Sequence, residues 1–346
     1  MTEDNRSSPW ALAPAANPVL VEVWRGEVLE CVHRGSVAVV GADGELIEAL
    51  GDVSRAILPR SAAKMLQALP LVESGAADAA RLCTERLALA CASHSGAAMH
   101  TDRVTAWLGD LGLDETALRC GAHAPLDREA RIALRAAGAP NLQTHNNCSG
   151  KHTGFLTLTR HLRAGPEYLE MDHPVQTAVR DAIAETSGEE PAGFAIDGCS
   201  APNFAVSLAG LARAVLGFAR PTARFGRVRA RAATRLRDAM IAHPALVAGE
   251  DRENTKLMRA ATRPTAVKSG AEGVYVAILP EPGIGIALKI DDGASAPAQA
   301  TMAALLVRYG ALDARHPTVA KIMDEPLLNA RGIEHGRRRA VATLSA

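Results

Sequence analysis

Apolar and polar residues alternate at the start of the chain: Val19, Val21 and Val23, then Val28, with Arg25-Gly26 between them. After His33-Arg34-Gly35 an apolar run, Val37 to Val40, stops at Gly41-Ala42-Asp43-Gly44. A period of two bounded by such turn residues predicts antiparallel strands joined by hairpins. The same character returns late in the chain over Thr265–Lys268, Gly273–Leu279 and Ile284–Ile290, the last two separated by Pro280-Glu281-Pro282-Gly283. Between these regions the period lengthens. Apolar residues three and four apart predict helices over Ala62–Leu71, Asp102–Leu111, Asp127–Ala137, Lys151–Arg163, Pro174–Thr186, Asn203–Phe218 and Ala223–Ala242. Thr84–Arg86 and Ala219–Thr222 read as loops. An alanine-rich stretch, Pro297–Tyr309, predicts a further helix with its proline in the first turn, placed to cover the returning strands.

Strands at both ends of a helical middle predict an α/β (α+β) fold: one antiparallel sheet built from both chain ends, with a helical subdomain beside it. The expected organisation is a single domain over 1–346, in which 19–60 and 262–310 supply the sheet and 61–255 the helices, with the site at their junction. A chain of 346 residues with 48% apolar content buries a large core. Basic and acidic residues balance at 38 each, which gives no field favouring nucleic acid or an anionic membrane. No apolar stretch is long enough to span a bilayer, and the polar start, Met1 to Trp10, lacks the order of a secretory signal. Six scattered cysteines, Cys31, Cys83, Cys91, Cys120, Cys148 and Cys199, point to reduced thiols and a cytoplasmic location.

Lysine usage narrows the chemistry. The chain has six lysines against thirty-two arginines, and three of the six stand beside serine or cysteine: Ser61-Ala62-Ala63-Lys64, Cys148-Ser149-Gly150-Lys151 and Lys268-Ser269-Gly270. Arginine replaces lysine wherever a fixed charge suffices, so the remaining lysines are enriched for places that need an amine able to lose its proton. Ser61 and Lys64 are three apart at the start of a helical pattern, on one face, where a serine also lies near free backbone N–H groups. A serine capping a helix ahead of a solvated lysine has the same spacing. Order adds to the pattern, because Ser93-His94-Ser95 and then Lys268-Ser269-Gly270 follow. Active-site serine β-lactamases and penicillin-binding proteins have Ser-x-x-Lys, Ser-x-Asn and Lys-Thr-Gly in that order, and the match here is imperfect at Ser95 and Ser269. The chemistry such a set supports is acyl transfer through an activated serine.

His145-Asn146-Asn147-Cys148-Ser149-Gly150-Lys151-His152 and Asp197-Gly198-Cys199 hold the other concentration of polar and sulfur groups. A phosphate-binding loop is excluded, since His152 follows Gly150-Lys151 where serine or threonine is needed. The paired spacing of a structural zinc site is absent too. Two thiols with a neutral amine would suit zinc; two inert cysteines and a loop lysine are the alternative.

Taken together, Ile57–Lys64 with Gln67–Pro70, Cys91–Gly96, His145–His152, Asp197–Pro202 and Lys268–Tyr275 resemble the Rhizobium-type L-asparaginases, over about Val19 to Ile290. The resemblance implies a fold similar to that of serine β-lactamases and penicillin-binding proteins, a homodimer, and hydrolysis of L-asparagine to L-aspartate and ammonia. It implies Ser61 with Lys64 and Ser93 with Lys268 as catalytic pairs, and Cys148, Lys151 and Cys199 as zinc ligands. Arg60, His152 and Asp197 are its implied substrate-binding residues. Ala294-Ser295-Ala296-Pro297 departs from the arginine-containing continuation associated with the family. Two other expectations compete: a β-lactamase or D,D-peptidase, and a non-catalytic, zinc-stabilised amino-acid-binding protein.

Overall fold

The alternating stretch at the chain start folds as strands β1 (Val19–Arg25) and β2 (Val28–Val40), followed by β3 (Leu46–Leu50) and the short β4 (Ala56–Ile57). The computed structural model describes residues 17–344, so Met1 to Trp10, read above as lacking a secretory signal, lie outside the described residues. Late in the chain come β7 (Ala266–Ser269), β8 (Val274–Leu279) and β9 (Ile284–Ile290), within one residue of the alternation, and then β10 (Asp324–Leu328) and β11 (Glu334–Ala340). These join β1 and β2 in one sheet of order β10-β11-β1-β2-β9-β8-β7, with β3 also paired to β2. All of its pairings are antiparallel. The register ties the ends together: Val21 pairs with Ala340, and Val37 with Leu288. Consecutive residues of β8 and most of β9 are buried, so both faces of these inner strands are covered. The Leu208–Ala219 helix packs on β2, β8 and β9, and the Ser295–Arg308 helix on β1, β8, β9 and β11.

The described residues divide into two compact units. One holds the chain up to Ala62, with Val206–Arg220 and Lys256 onward; it contains the large sheet. The other holds Ala63–Ala205 and Pro221–Thr255 and is mostly helical. At the centre of the helical unit is the Ser149–Leu162 helix, whose residues are buried without interruption from Ser149 to Thr159. A helix apolar or neutral all round belongs inside a bundle, and here the Thr84–Ala90, Ala98–Asp110 and Pro174–Ser187 helices surround it. A hairpin of β5 (Gly193–Ile196) and β6 (Pro202–Ser207) pairs Gly193 with Ala205 through to Ile196 with Pro202.

Five of the expected elements differ. The continuous helix over Ala62–Leu71 is instead a 3₁₀ turn at Arg60–Ala63 followed by Lys64–Gln67 and Leu69–Glu73; Pro70 has no N–H to continue the ladder and sits in the first turn of the last piece. Asn203–Phe218 divides at Ser207, a strand before it and a helix after it, because Ser207 caps the helix by accepting from Gly210 N at 2.8 Å. Thr84–Arg86 begins a helix rather than a loop. Ala223–Ala242 comes as Pro221–Arg224 and Arg227–Ala242, so Ala219–Thr222 is a helix end and a helix start. Among the described residues no helix is long and apolar enough to cross a membrane.

Candidate active site

The helical unit gathers Lys64, Ser93, Cys148, Lys151, His152, Asp197 and Cys199, drawn from four segments. Lys64 opens the four-residue helix Lys64–Gln67 and is almost wholly buried. Its Nζ donates to Ala92 O at 2.5 Å, Ser93 Oγ at 2.9 Å and Cys148 Sγ at 3.1 Å, with Asn147 O at 3.5 Å. A buried ammonium is tolerated only with such a full set of acceptors. Ser93 follows the Thr84–Ala90 helix, where the chain turns and Ser93 N bonds Val247 O.

Cys148 precedes the Ser149–Leu162 helix, and Lys151 lies one turn along it, its Nζ 3.2 Å from Cys199 Sγ and 5.2 Å from the centre of the Phe155 ring. Gly150 makes this placement possible. A Cβ there would stand 2.4 Å from Leu89 O, so only glycine lets the start of this helix lie against the Thr84–Ala90 helix that leads to Ser93. Cys199 sits in the β5–β6 turn, closed by Ser200 N bonding Asp197 O at 2.8 Å, with Ser200 in the left-handed region at φ +67°. Asp197 accepts from Gly198 N at 2.8 Å, and its other oxygen lies 4.0 Å from Cys199 Sγ.

The sulfurs divide their charge. A hydrogen bond to Cys199, together with burial, pushes the Cys148 thiol well up, while the bond received from Cys148 holds Cys199 down against burial, assisted by Lys151. Burial pushes Lys151 down, but the two sulfurs and Asp197 outweigh it and raise it. Tyr168 Oη accepts from Arg119 N at 2.8 Å, so its own proton goes to His152 Nδ1 at 2.9 Å. That leaves the proton of a neutral His152 on Nε2, a buried N–H drawn toward the Cys199 sulfur. Burial, against the pull of Cys199, lowers the ring to about 4.

Ser61, Arg60 and Lys268 belong to the unit with the large sheet. Ser61 is in the 3₁₀ turn Arg60–Ala63, entered through Arg60 at φ +52°. Lys268 is fully buried on β7, its Nζ donating to Ser269 O at 2.7 Å. The glycine of Lys268-Ser269-Gly270 is what brings the end of β7 to the serine's turn. A Cβ at Gly270 would be 2.6 Å from Pro59 O and 3.2 Å from Ala62 N. Of the sequence-selected residues, then, Lys64 meets Ser93, Lys151 meets Cys199, and the Lys268 strand end abuts the turn of Ser61.

Tyr168, Asn146 and Asn147 were not singled out, and each holds a site residue in place. Asn146 Oδ1 accepts from Cys148 N at 2.9 Å, and its amide donates to the carbonyls of Cys120 and Gly121; Asn147 Oδ1 accepts from Cys148 Sγ at 3.2 Å. Tyr168 is one of three tyrosines in the chain, and the scarcity that marked the lysines would have marked it as well. A cavity of about 260 Å³ lined by Leu82, Arg86, Trp107, Asp110 and Arg160 contains none of the selected residues. Among the described residues no group of three or more His, Cys, Asp and Glu side chains converges as a metal site.

Comparison with known proteins adds solved structures and a family. A protein called Mglu, in its native form, is 16% identical with a TM-score of 0.43, covering 77% of this chain, which spans only 62% of that protein's length. A β-lactamase from Mycobacterium bovis is 14% identical with a TM-score of 0.42 over 80% of this chain and 95% of that one. A simvastatin synthase mutant from Aspergillus terreus is 9% identical with a TM-score of 0.38 over 77% of this chain and 87% of that one. No curated protein sequence matches significantly. The sequence profile described as L-asparaginase II matches residues 21–340, from the second residue after the start of β1 to the end of β11, and the chain belongs to that family.

Proposed function

We propose that this protein is an L-asparagine amidohydrolase that releases L-aspartate and ammonia through an acyl-serine intermediate. Family membership supports the amide-hydrolysing class. The observation that carries the mechanism is the buried contact of Lys64 Nζ with Ser93 Oγ at 2.9 Å, within the ~2.6–3.2 Å reach of a base and its hydroxyl. In the reading carried from the motifs, Ser61 Oγ attacks the side-chain amide carbon and its proton passes to Lys64. Ser93 and Lys268 relay a proton to the departing nitrogen, which leaves as ammonia. Water then attacks the ester, the alkoxide of the serine recovers its proton, and L-aspartate departs. The Lys64–Ser93 hydrogen bond favours a second assignment, in which Ser93 attacks and Lys64 is its base. Arg60, Asp197 and the Nε2–H of His152 are proposed to hold the amino-acid end of the substrate.

Zinc is part of this reading. The donor set fits it: two sulfurs and an amine, with Lys151 Nζ and Cys199 Sγ 3.2 Å apart, close to the roughly 3.6 Å that N and S donors span on one tetrahedral zinc. Cys148, Lys151 and Cys199 would hold the ion, which when bound supplies a Lewis-acidic centre that orders these groups. Cys148→Ser and Cys199→Ser should lose the metal. Lys151→Arg keeps the charge but has no lone pair to give, so a full zinc complement in that variant would remove Lys151 from the ligand set. A homodimer in the cytoplasm completes the proposal, and light scattering of the purified protein tests its oligomeric half.

Ammonia release from asparagine and glutamine, measured beside hydrolysis of a chromogenic cephalosporin, separates the candidate activities. Turnover of asparagine is expected; cephalosporin turnover alone would indicate a β-lactamase, and neither would indicate a binding protein. An electrophilic asparagine analogue followed by peptide mapping shows whether Ser61 or Ser93 carries the acyl group.

A further inference from the structure

Of the three lysines outside this chemistry, Lys256, Lys289 and Lys321, one stands on an inner strand of the sheet. Lys289 lies on β9, paired with Val274 on β8 and Ser36 on β2, and is the one charged residue in a strand otherwise apolar from Ile284 to Ile290. It is half-buried, and its Nζ donates to Ile290 O. Burial first, then the charge of Arg55, holds its pKa below the usual lysine range, against Asp291, Glu272 and Asp292. Two of those three carboxylates are already engaged, Asp291 by Asn17 Nδ2 at 2.9 and 3.1 Å and Asp292 by His33 Nδ1 at 2.5 Å. Lys289 opens onto a cavity of about 280 Å³ floored by Ile57 and Leu58 and lined by the charged residues Arg55, Arg60 and Glu272. That volume lies just below the ~300–1,000 Å³ of small-molecule sites, so the occupant it suits is small.

With Arg60 engaged elsewhere, the lining presents Arg55 and Lys289 beside the single carboxylate of Glu272. Asp52 acts on Arg55 through its charge, but no hydrogen bond or ion pair engages the Arg55 guanidinium among the described residues. Glu272 is held at φ +57°, a backbone region that non-glycine residues rarely adopt and that persists where the surroundings fix it. We propose that this cavity is a binding site for an acidic α-amino acid, with Arg55 and Lys289 taking its carboxylates and Glu272 its ammonium. Two carboxylates and one ammonium are the complement of this lining, and an apolar floor accommodates the short methylene stem between them. None of Ser61, Lys64, Ser93 or Lys268 lines the cavity, and Arg60 is the one residue it shares with the proposed substrate contacts, so occupancy and turnover are separated at Arg55 and Glu272, which have no part in that chemistry. The choice of L-aspartate as probe rests on the proposed function, since it would be the product; the charge class does not.

Calorimetric titration of the full chain with L-aspartate and with succinate tests the site. Saturable aspartate binding is expected. Arg55→Gln, a half-exposed position, should weaken it about tenfold or more while asparagine turnover stays within about twofold of the parent. Glu272→Gln should weaken aspartate about tenfold and leave succinate, which has no ammonium, nearly unchanged. Lys289→Gln sits on an inner strand and is judged only if its circular dichroism and melting match the parent. Absent aspartate binding, or binding indifferent to Arg55→Gln, overturns the proposal. Parallel loss of binding and turnover in Arg55→Gln overturns it too, because the cavity would then belong to the catalytic site. Failure of the proposed function shows separately, as absent ammonia release with aspartate binding intact.

Discussion

Lys64 has four acceptors around one amine, and arginine at that position would bring a planar fork into a space shaped for a compact ammonium. Lys64→Arg is therefore expected to keep the charge and lose the base, lowering asparagine turnover by ~10²–10⁴ with an unchanged circular dichroism spectrum. Retention of more than about a tenth of the activity would count against Lys64 as the base. Tyr168 offers a different test. Its hydroxyl joins Arg119 N to His152 Nδ1, so Tyr168→Phe leaves a backbone donor and a ring nitrogen without their partner. A loss of about 1–3 kcal/mol in unfolding free energy is expected, together with a raised KM for asparagine if His152 Nε2–H holds the substrate. An unchanged KM would remove His152 from substrate binding. At this scale the sequence was informative where a residue type was scarce. Lysines and the two motif cysteines stood out, whereas Asn146 and Asn147 act through hydrogen bonds that only the folded backbone defines.

Elements were legible where periodicity and turn residues agreed. The hairpins about Gly41-Ala42-Asp43-Gly44 and Pro280–Gly283 fell within a residue or so of expectation because those turns restrict the backbone directly. Pro202–Ser207 was not separable from the helix after it, since a fully buried strand has no alternation to display. β10 and β11 were missed for the opposite reason. Asp324, Glu325 and Arg337 to Arg339 pair across the two strands as charges, and Pro326 is tolerated because β10 is an edge. The two glycines at close approaches give a prediction for elements. Gly150→Ala drives a methyl group against Leu89 O and should cost ~1–3 kcal/mol, seen as a Tm lower by roughly 2–4 °C per kcal/mol, and should also reduce turnover by displacing Cys148 and Lys151 relative to Ser93. Gly121→Ala serves as the control for a bare glycine change, as nothing lies within 4 Å of its added Cβ, although its positive φ carries a small strain of its own.

For the molecule as a whole, stability should fall in mild acid. His94 and His100 are fully buried and stacked, with ring centres 4.8 Å apart. Gly96 N donates to His94 Nδ1, and Nε2 donates to Ser149 Oγ; His100 Nε2 donates to Ala245 O. Burial is the chief cause that lowers the pKa of both rings, and for His94 the next is its neighbour, since charging it beside a charged His100 would be repulsive. Their folded pKa values lie below the unfolded 6.5, so below that pH the unfolded chain takes up protons that the folded one refuses. The stability they confer is complete above about pH 6.5 and is lost as the pH falls below it. Urea midpoints measured from pH 7.5 down to 5 should decline, and His94→Gln should flatten that decline; an equal slope in the variant would assign it to other groups.

The pairing of Val21 with Ala340 has a consequence for how the protein is made. β1 leaves the ribosome long before one of its two neighbours, β11, which is synthesised more than 300 residues later. At ~5–20 residues per second, that edge stays open for about 15–60 s in every nascent chain. Its hydrogen-bonding groups and the apolar row Val19, Val21 and Val23 are free to pair elsewhere in that interval. A chain ending before Glu334 should therefore accumulate as aggregate even though every residue of the serine, lysine and cysteine set is present. Newly made protein should also gain soluble yield from slower synthesis at low temperature or from a chaperone that covers the exposed strand.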